Sequence, residues 1–237
     1  MRTPHDTGAI LLATNIQAHW IDEYIKAQAF WVHDENPLRP HAELTGGMDS
    51  SGFFNSKPII AQDDLMRGAA VDLIHLINAV HCLDLWDVDG VVGPQTGATK
   101  MAKFLSVEIM SQTAKECFSA SPAKHEENGV KTMVFNADER ALVRNKTVLL
   151  CEDVCTTGGS IARTADAIIE AGGYILPYVL VLVNRSGETE IDGRTIVPLI
   201  NKHMPKWTKD DCPLCKAGSK AIRPKEGDNW ALLTADY

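Results

Sequence analysis

Residues 148–160 carry the side chains best suited to chemistry, because two adjacent acids are followed at once by a turn rich in hydroxyl groups and glycine. Glu152 and Asp153 can accept hydrogen bonds from ribose hydroxyls, and Asp153 can also hold Mg²⁺, directly or through water. Side-chain hydroxyls and backbone N–H groups in the turn can surround a phosphate. The residues that offer them are Thr156, Thr157, Gly158, Gly159 and Ser160. The pattern predicts a ribose-phosphate site.

A strand and a helix must position this turn. Residues 147–150 form an apolar run typical of a buried parallel strand, and apolar residues at helical spacing continue from Ile161 until Gly172 and Gly173. The turn then lies at a helix N-terminus, where the helix dipole favours an anion. The chain has neither a Walker loop nor a Gly-x-Gly-x-x-Gly fingerprint, which excludes those two phosphate-binding modes.

Strand and helix patterns alternate along most of the chain. Helical spacing covers residues 8–32, 63–80 and 98–113, whereas strand patterns cover 88–92, 117–120, 175–183 and 195–200. Residues 131–135 and 141–143 suggest an antiparallel pair. This alternation predicts an α/β fold with a doubly wound, mostly parallel sheet. Ligands of such sheets bind at the carboxyl ends of the strands.

Other loops at that sheet edge are further candidates. The loop Gly93, Pro94, Gln95, Thr96 and Gly97 can offer backbone donors to a pyrophosphate, although a strand-to-helix turn without a ligand has the same pattern. Lys100 can serve the pyrophosphate charge or face solvent.

Two aromatic residues and an arginine are candidates for binding a flat base. Phe53 and Phe54 can sandwich such a base or merely cover the core. Arg185 ends a long strand and can donate in two directions to a base or a carboxylate.

Residues 148–160 resemble the 5-phosphoribosyl-1-pyrophosphate motif of the type I phosphoribosyltransferases. Residues 46–55 and 184–187 further resemble loops of orotate phosphoribosyltransferases, so the resemblance covers about residues 40–200. It implies transfer of ribose 5-phosphate from phosphoribosyl pyrophosphate to orotate, which gives orotidine 5′-monophosphate and pyrophosphate, with Mg²⁺ as cofactor. The alternatives are transfer to a purine or another nucleobase, and a non-catalytic regulator that senses phosphoribosyl pyrophosphate.

The resemblance also implies roles and an assembly. Glu152 and Asp153 would stabilise the ribosyl cation, while Lys124 and His125 would lie on a catalytic loop that closes at residues 121–130 and often serves a neighbouring subunit. A homodimer is therefore expected. Thr45 stands where the family usually has lysine, so one cationic contact is missing. We expect an N-terminal helix and base-covering segment at 1–62, the phosphoribosyltransferase core at 63–201 and an irregular extension at 202–237.

Composition limits the other function classes. A net charge of −8 without a basic block disfavours nucleic acid and acidic membranes as partners. No signal-peptide pattern and no apolar run of ~18 residues occurs, so a cytoplasmic location is expected.

The six cysteines do not predict a disulfide framework. Cys212 and Cys215 have the spacing of half a zinc site, with His203 nearby as a third ligand. A structural zinc needs four ligands and only three candidates cluster here, so the default interpretation is a hydrophobic turn carrying two thiols.

Overall fold

The computed structural model describes residues 4–44 and 46–237. Its helices are α1 (Pro4–Lys26), α2 (Lys57–Ala61), α3 (Asp63–His81), α4 (Thr99–Thr113), α5 (Ala137–Val143), α6 (Gly159–Ala171), α7 (Pro213–Lys216) and α8 (Asn229–Thr234). Its strands are β1 (Phe30–Val32), β2 (His41–Glu43), β3 (Asp49–Ser50), β4 (Gly52–Phe54), β5 (Gly90–Val92), β6 (Phe118–Ala120), β7 (Ala123–Glu127), β8 (Val130–Val134), β9 (Thr147–Cys155), β10 (Tyr174–Asn184), β11 (Glu190–Ile191), β12 (Arg194–Asn201), β13 (Lys206–Trp207) and β14 (Ala221–Ile222).

A six-stranded sheet in the order β11-β12-β10-β9-β5-β6 forms the centre of the molecule. All neighbouring strands in it are parallel except β11, which pairs antiparallel with β12. The predicted doubly wound, mostly parallel α/β fold is confirmed.

Both faces of this sheet are buried, as alternate residues of β9 demonstrate. Leu149 packs into one apolar cluster with residues of α1, α3 and α4, whereas Val148 and Leu150 pack into a second cluster with residues of α6. Side chains of a strand alternate between faces, so an almost continuous apolar run is what a two-sided core requires. This burial fixes where β9 ends, and with it the turn after Asp153.

A second sheet, in the order β13-β3-β2-β14, joins the two ends of the chain. Strand β14 runs parallel to β2, with Ala221 opposite His41, and β13 pairs antiparallel with β3. We call this four-stranded sheet the hood. Residues 202–237, which the sequence predicts to be irregular, contain two of its strands and the helices α7 and α8.

The antiparallel pair predicted for residues 131–135 and 141–143 is wrong. Strand β8 instead forms a hairpin with β7, and residues 141–143 end α5. Asn136 caps that helix by accepting a hydrogen bond from the Glu139 N–H at 2.9 Å, which favours helix over strand there.

The first helix also ends earlier than its pattern predicts. Lys26 is its last residue, and residues 30–32 form β1, which pairs antiparallel with β4. Thr45, where the family lysine is missing, lies outside the described residues. Within the described ranges, no helix has the length and hydropathy needed to cross a membrane.

Candidate active site

A cavity of about 990 Å³ opens at the carboxyl ends of β5, β9 and β10, beneath the hood. It brings together most of the side chains that the sequence singles out. The predicted residues that line it are Glu152, Asp153, Thr156, Thr157, Ser160, Pro94, Gln95, Thr96, Gly97, Lys100, Lys124, Phe53, Phe54 and Arg185.

Four predicted residues lie outside the lining of this cavity. Gly158 and Gly159 line a smaller groove that adjoins it through Thr156, Thr157 and Ser160. Gly93 packs closely against Cys151 of β9, since a Cβ added at Gly93 would be 2.6 Å from Cys151 Sγ. His125 is exposed on β7, with its Nε2 atom 3.8 Å from Glu127.

The turn after β9 leaves hydrogen-bond donors free for an anion. Within the described residues, the side-chain hydroxyls of Thr156, Thr157 and Ser160 have no hydrogen-bond partner, whereas the hydroxyl of Thr164 donates to the Ser160 carbonyl at 2.8 Å. The first N–H groups of α6 have no acceptor inside the helix. Gly158 has a φ of +75°, a backbone conformation that favours glycine. The turn can therefore surround a phosphate.

The two acids differ in environment. Glu152 is buried, and the pKa of its carboxyl is raised well above the usual range, first by desolvation and then by the adjacent Asp153. Asp153 is half-buried and accepts a hydrogen bond from the Val154 N–H at 2.9 Å. A Cβ on Gly97 would be 2.6 Å from Asp153 Oδ2, so only glycine lets the loop at 93–97 lie against this carboxylate. Asp153 thus faces the loop that is a candidate for pyrophosphate binding.

We predict that Glu152→Gln raises the stability of the chain at neutral pH. A carboxyl with a raised pKa contributes fully to stability only below its usual pKa of 4.5, and that contribution is lost as pH rises through the folded-state value. Glutamine avoids burying the charge and can still accept the Asp153 N–H that Glu152 Oε1 accepts at 3.0 Å. A gain of ~1 kcal/mol would raise Tm by about 2–4 °C.

Thermal unfolding between about pH 5 and pH 8 measures this effect. The gain in Tm should grow with pH, whereas Glu127→Gln, on an exposed side chain, should change Tm little at any pH. A gain that is the same at both ends of this range would show that the charge of Glu152 is not its cause.

The base side of the cavity is formed by aromatic rings and a buried arginine. Phe54 stacks on Phe30, with ring centroids 4.6 Å apart, so it serves the core and reaches the cavity as well. Arg185 is 4% exposed, and its Nη2 donates to Ser50 Oγ at 2.8 Å. Burial lowers the pKa of its guanidinium to about 10. Its Nε has no hydrogen-bond partner among the described residues.

Four further cations line the cavity that sequence reasoning missed: Lys57, Arg163, Lys206 and Lys225. Lys206 and Lys225 come from the extension at 202–237, which returns to the cavity because β13 pairs with β3 and β14 pairs with β2. Burial, and then the nearby Lys57, lower the pKa of Lys225. These lysines are visible in the sequence, but no local pattern relates them to the turn after β9, so their place in the cavity could not be predicted.

Lys100 reaches the cavity wall but is already paired. Its Nζ lies 2.6 Å from Asp63 Oδ1 and donates to the Ala61 carbonyl at 3.0 Å. Lys100 thus ties α4 to the start of α3, which is neither of the two roles that the sequence left open for it.

The fold, with its free donors after β9 and the acid pair before them, defines a phosphoribosyltransferase domain. The family model described as "Phosphoribosyl transferase domain" matches residues 69–210, which is more than half of the chain, and the chain belongs to this family. It is therefore a pentosyltransferase.

Two curated relatives carry the name orotate phosphoribosyltransferase. The protein of Heliobacterium modesticaldum is 27% identical over 192 residues, covering 81% of this chain and 92% of the relative. That of Carboxydothermus hydrogenoformans is 25% identical over 187 residues, covering 79% and 90%. The resemblance to orotate phosphoribosyltransferases is confirmed at the level of the family.

Solved structures share the fold. Orotate phosphoribosyltransferase from Aeropyrum pernix aligns with a TM-score of 0.54 at 23% identity, covering 76% of this chain and 92% of its own. A phosphoribosyltransferase from Corynebacterium diphtheriae aligns with a TM-score of 0.54 at 19% identity, covering 79% and 96%.

Proposed function

We propose that the chain transfers ribose 5-phosphate from phosphoribosyl pyrophosphate to orotate, giving orotidine 5′-monophosphate and pyrophosphate. One observation carries the choice of base: Arg185 places a buried guanidinium at the cavity wall, and no carboxylate of the described residues forms an ion pair with it. A buried charge without a partner is unfavourable. An anionic base with a carboxylate would supply the partner, whereas adenine or guanine would not.

Lysines from the extension support an anionic base as well. Lys206 and Lys225 line the same cavity, and Lys225 Nζ lies 5.6 Å from the centre of the Phe53 ring. They bring positive charge to this cavity, in a chain whose sequence has Thr45 where the family usually has lysine. Phe53 and Phe54 both line this cavity and would supply apolar contacts to the flat base.

The sugar-phosphate half of the proposal depends on the turn after β9. The free hydroxyls of Thr156, Thr157 and Ser160, with the N–H groups of the first turn of α6, would hold the 5′-phosphate. Glu152 and Asp153 would accept hydrogen bonds from the ribose hydroxyls. Their negative charge would then lie near the ribosyl centre, where positive charge develops as pyrophosphate leaves.

The residues present fit Mg²⁺. Asp153 offers hard carboxylate oxygens, and the glycine at position 97 lets the candidate pyrophosphate loop approach them. Bound there, Mg²⁺ would neutralise charge on the leaving pyrophosphate. Asp153 is the residue that we propose holds it, together with the substrate's own oxygens.

The hairpin of β7 and β8 is the proposed cover of the site. Lys124 lies on β7 and lines the cavity, so closure of the hairpin would bring a cation to the pyrophosphate and exclude water. We also propose that the chain is a cytoplasmic homodimer, as the family resemblance implies; sedimentation at several concentrations tests the dimer.

Pyrophosphate release against a panel of bases tests the proposed function. We expect orotate to support release with Mg²⁺, and uracil, adenine, guanine and xanthine to support little. If a purine is turned over instead, the proposal of orotate as the substrate fails, but the proposal of phosphoribosyl transfer stands. Binding of phosphoribosyl pyrophosphate without turnover of any base would favour the regulator.

We predict that Thr157→Val weakens binding of phosphoribosyl pyrophosphate about tenfold or more, because a hydrogen bond to a charged group contributes ~1.5 kcal/mol or more. The side chain is exposed and has no partner within the described residues, so its loss should leave the fold unchanged. Calorimetric titration measures the affinity, and Thr157→Ser, which keeps the hydroxyl, is the control. Equal affinity of the valine and serine variants would refute this role for the hydroxyl.

A further inference from the structure

Four potential metal ligands meet between the hood and α7, away from the cavity. They are His41 on β2, Asp49 on β3, and Cys212 and Cys215 at the N-terminus and within α7. One ligand atom from each lies within 4.8 Å of all the others. His41, Asp49 and Cys212 are completely buried. None of the four lines the described cavity, so the transfer reaction does not explain why they meet.

Four of the six distances among these atoms match those of a tetrahedral zinc site, and the other two are within 4.8 Å. His41 Nε2 lies 3.5 Å from both Cys212 Sγ and Cys215 Sγ, and 3.7 Å from Asp49 Oδ2. Cys215 Sγ lies 3.3 Å from Asp49 Oδ2. Zinc bonds of about 2.0–2.3 Å in a tetrahedron separate the ligand atoms by ~3.3–3.8 Å. The backbone of the four segments therefore already brings the ligand atoms close enough together for one zinc ion to contact all four after small side-chain adjustments.

A hydrogen-bond chain behind His41 orients its ring for this purpose. Ser219 Oγ donates to the Arg39 carbonyl at 2.6 Å, which uses its one proton. At 2.8 Å from His41 Nδ1, the same oxygen can then only accept, so the proton of the neutral ring lies on Nδ1. The Nε2 lone pair consequently faces the two thiols and Asp49. Such a partner on the far nitrogen is typical of metal-binding histidines.

Asp49 gives an independent indication of a cation. Its carboxylate is completely buried, and its Oδ1 has no hydrogen-bond partner among the described residues. The only basic side chain paired with it there is His41, whose geometry places the proton on the far nitrogen. A buried carboxylate in this setting is unfavourable unless a cation compensates its charge. A divalent ion shared with two thiolates would do so.

We propose that His41, Asp49, Cys212 and Cys215 bind a structural Zn²⁺ that fastens α7, and with it the extension at 202–237, to strands β2 and β3 of the hood. Four protein ligands close the coordination sphere and leave no position for a substrate, which is typical of structural zinc. The Cys215 N–H also lies 3.4 Å from Cys212 Sγ and can stabilise a thiolate there. His203, the nearby histidine that the sequence offers as a third candidate ligand, is not among these four, and its Nδ1 lies 3.2 Å from the Ser186 carbonyl.

The position of the ion links the extension to the base side of the cavity. Asp49 precedes Ser50, which accepts from Arg185 and donates to the Pro205 carbonyl at 2.7 Å. Lys206 pairs with Ser50 across β13 and β3. The ion would thus hold in place two cationic residues of the proposed base site. These are Lys206, from the extension, and Arg185, which directly follows β10.

Metal content of the full chain, purified with a thiol reductant and without a metal-affinity tag, tests the site. We expect one zinc per chain by inductively coupled plasma mass spectrometry. Cys212→Ser and Cys215→Ser should lose it, whereas Cys82→Ser, at an exposed thiol outside the cluster, should keep it. Zinc retained in both cluster variants, or lost equally in Cys82→Ser, would overturn the assignment.

Cobalt substitution of the wild-type chain keeps the test decisive if a cluster variant fails to fold. After removal of zinc with a chelator, added Co²⁺ should give the intense visible bands of tetrahedral coordination and the near-ultraviolet thiolate-to-cobalt band. Chelation should also lower Tm, and added zinc should restore it. Absence of zinc together with absence of these bands, or a disulfide between Cys212 and Cys215 in the reduced preparation, would overturn the proposal.

Discussion

Asp153→Asn is expected to lower kcat by ~10²–10³-fold, the loss typical of removing one electrostatic contact from a transition state. The variant keeps the volume of the side chain, and its amide oxygen could still accept the Val154 N–H that Asp153 Oδ1 accepts at 2.9 Å. It removes the negative charge that faces Gly97 and the ribosyl centre. Turnover with saturating phosphoribosyl pyrophosphate, orotate and Mg²⁺ measures the effect.

A matched variant separates chemistry from folding in this experiment. Asp166→Asn makes the same chemical change at an exposed position on α6 that does not line the cavity, so it should retain wild-type turnover. Both variants should unfold at similar temperatures. A kcat for Asp153→Asn within about threefold of wild type would refute its proposed role at the ribosyl centre.

The core sheet and the turn after β9 could be predicted from sequence because their determinants are contiguous. An apolar run, two acids and a glycine-rich turn occupy thirteen consecutive residues of the chain, and each constrains its neighbours directly. Burial on both faces of β9 then brings the loops of β5 and β10 to the same edge. Local pattern and parallel topology together predict most of the residues that line the cavity.

The hood could not be predicted, because it depends on contacts between the two ends of the chain. Cys212 and His41 are 171 positions apart, and no local periodicity connects them. His203 was the nearer histidine in sequence, yet the pairing of β14 with β2 brings His41 to the cysteines instead. Lys206 and Lys225 were missed for the same reason.

The hairpin of β7 and β8 was missed for a different reason. Most of its residues are exposed. Neither strand therefore has a buried face that would require apolar residues at alternate positions of the sequence. Cross-strand hydrogen bonds and the turn Asn128-Gly129, both with positive φ, define it instead. That turn signal was present in the sequence.

Arg185→Ala is expected to raise KM for orotate by ~30–100-fold while changing KM for phosphoribosyl pyrophosphate much less. A guanidinium that makes charge-assisted hydrogen bonds to a carboxylate contributes about 2–3 kcal/mol, and each 1.4 kcal/mol is a factor of ten. Arg185 is buried at the wall of the cavity beside the hood, whereas the proposed sugar-phosphate contacts lie at residues 152–160. The variant should therefore separate the two substrates.

Two comparisons show whether the charge of Arg185 or only its packing matters. Ser50→Ala removes the oxygen that accepts from Arg185 Nη2 at 2.8 Å but keeps the guanidinium, so it should raise KM for orotate far less than Arg185→Ala does. Uracil has no carboxylate, so its weak binding, measured by competition with orotate, should hardly change in Arg185→Ala. Equal weakening of uracil and orotate would mean that Arg185 supports the shape of the cavity, and the main argument for an anionic base would then be lost.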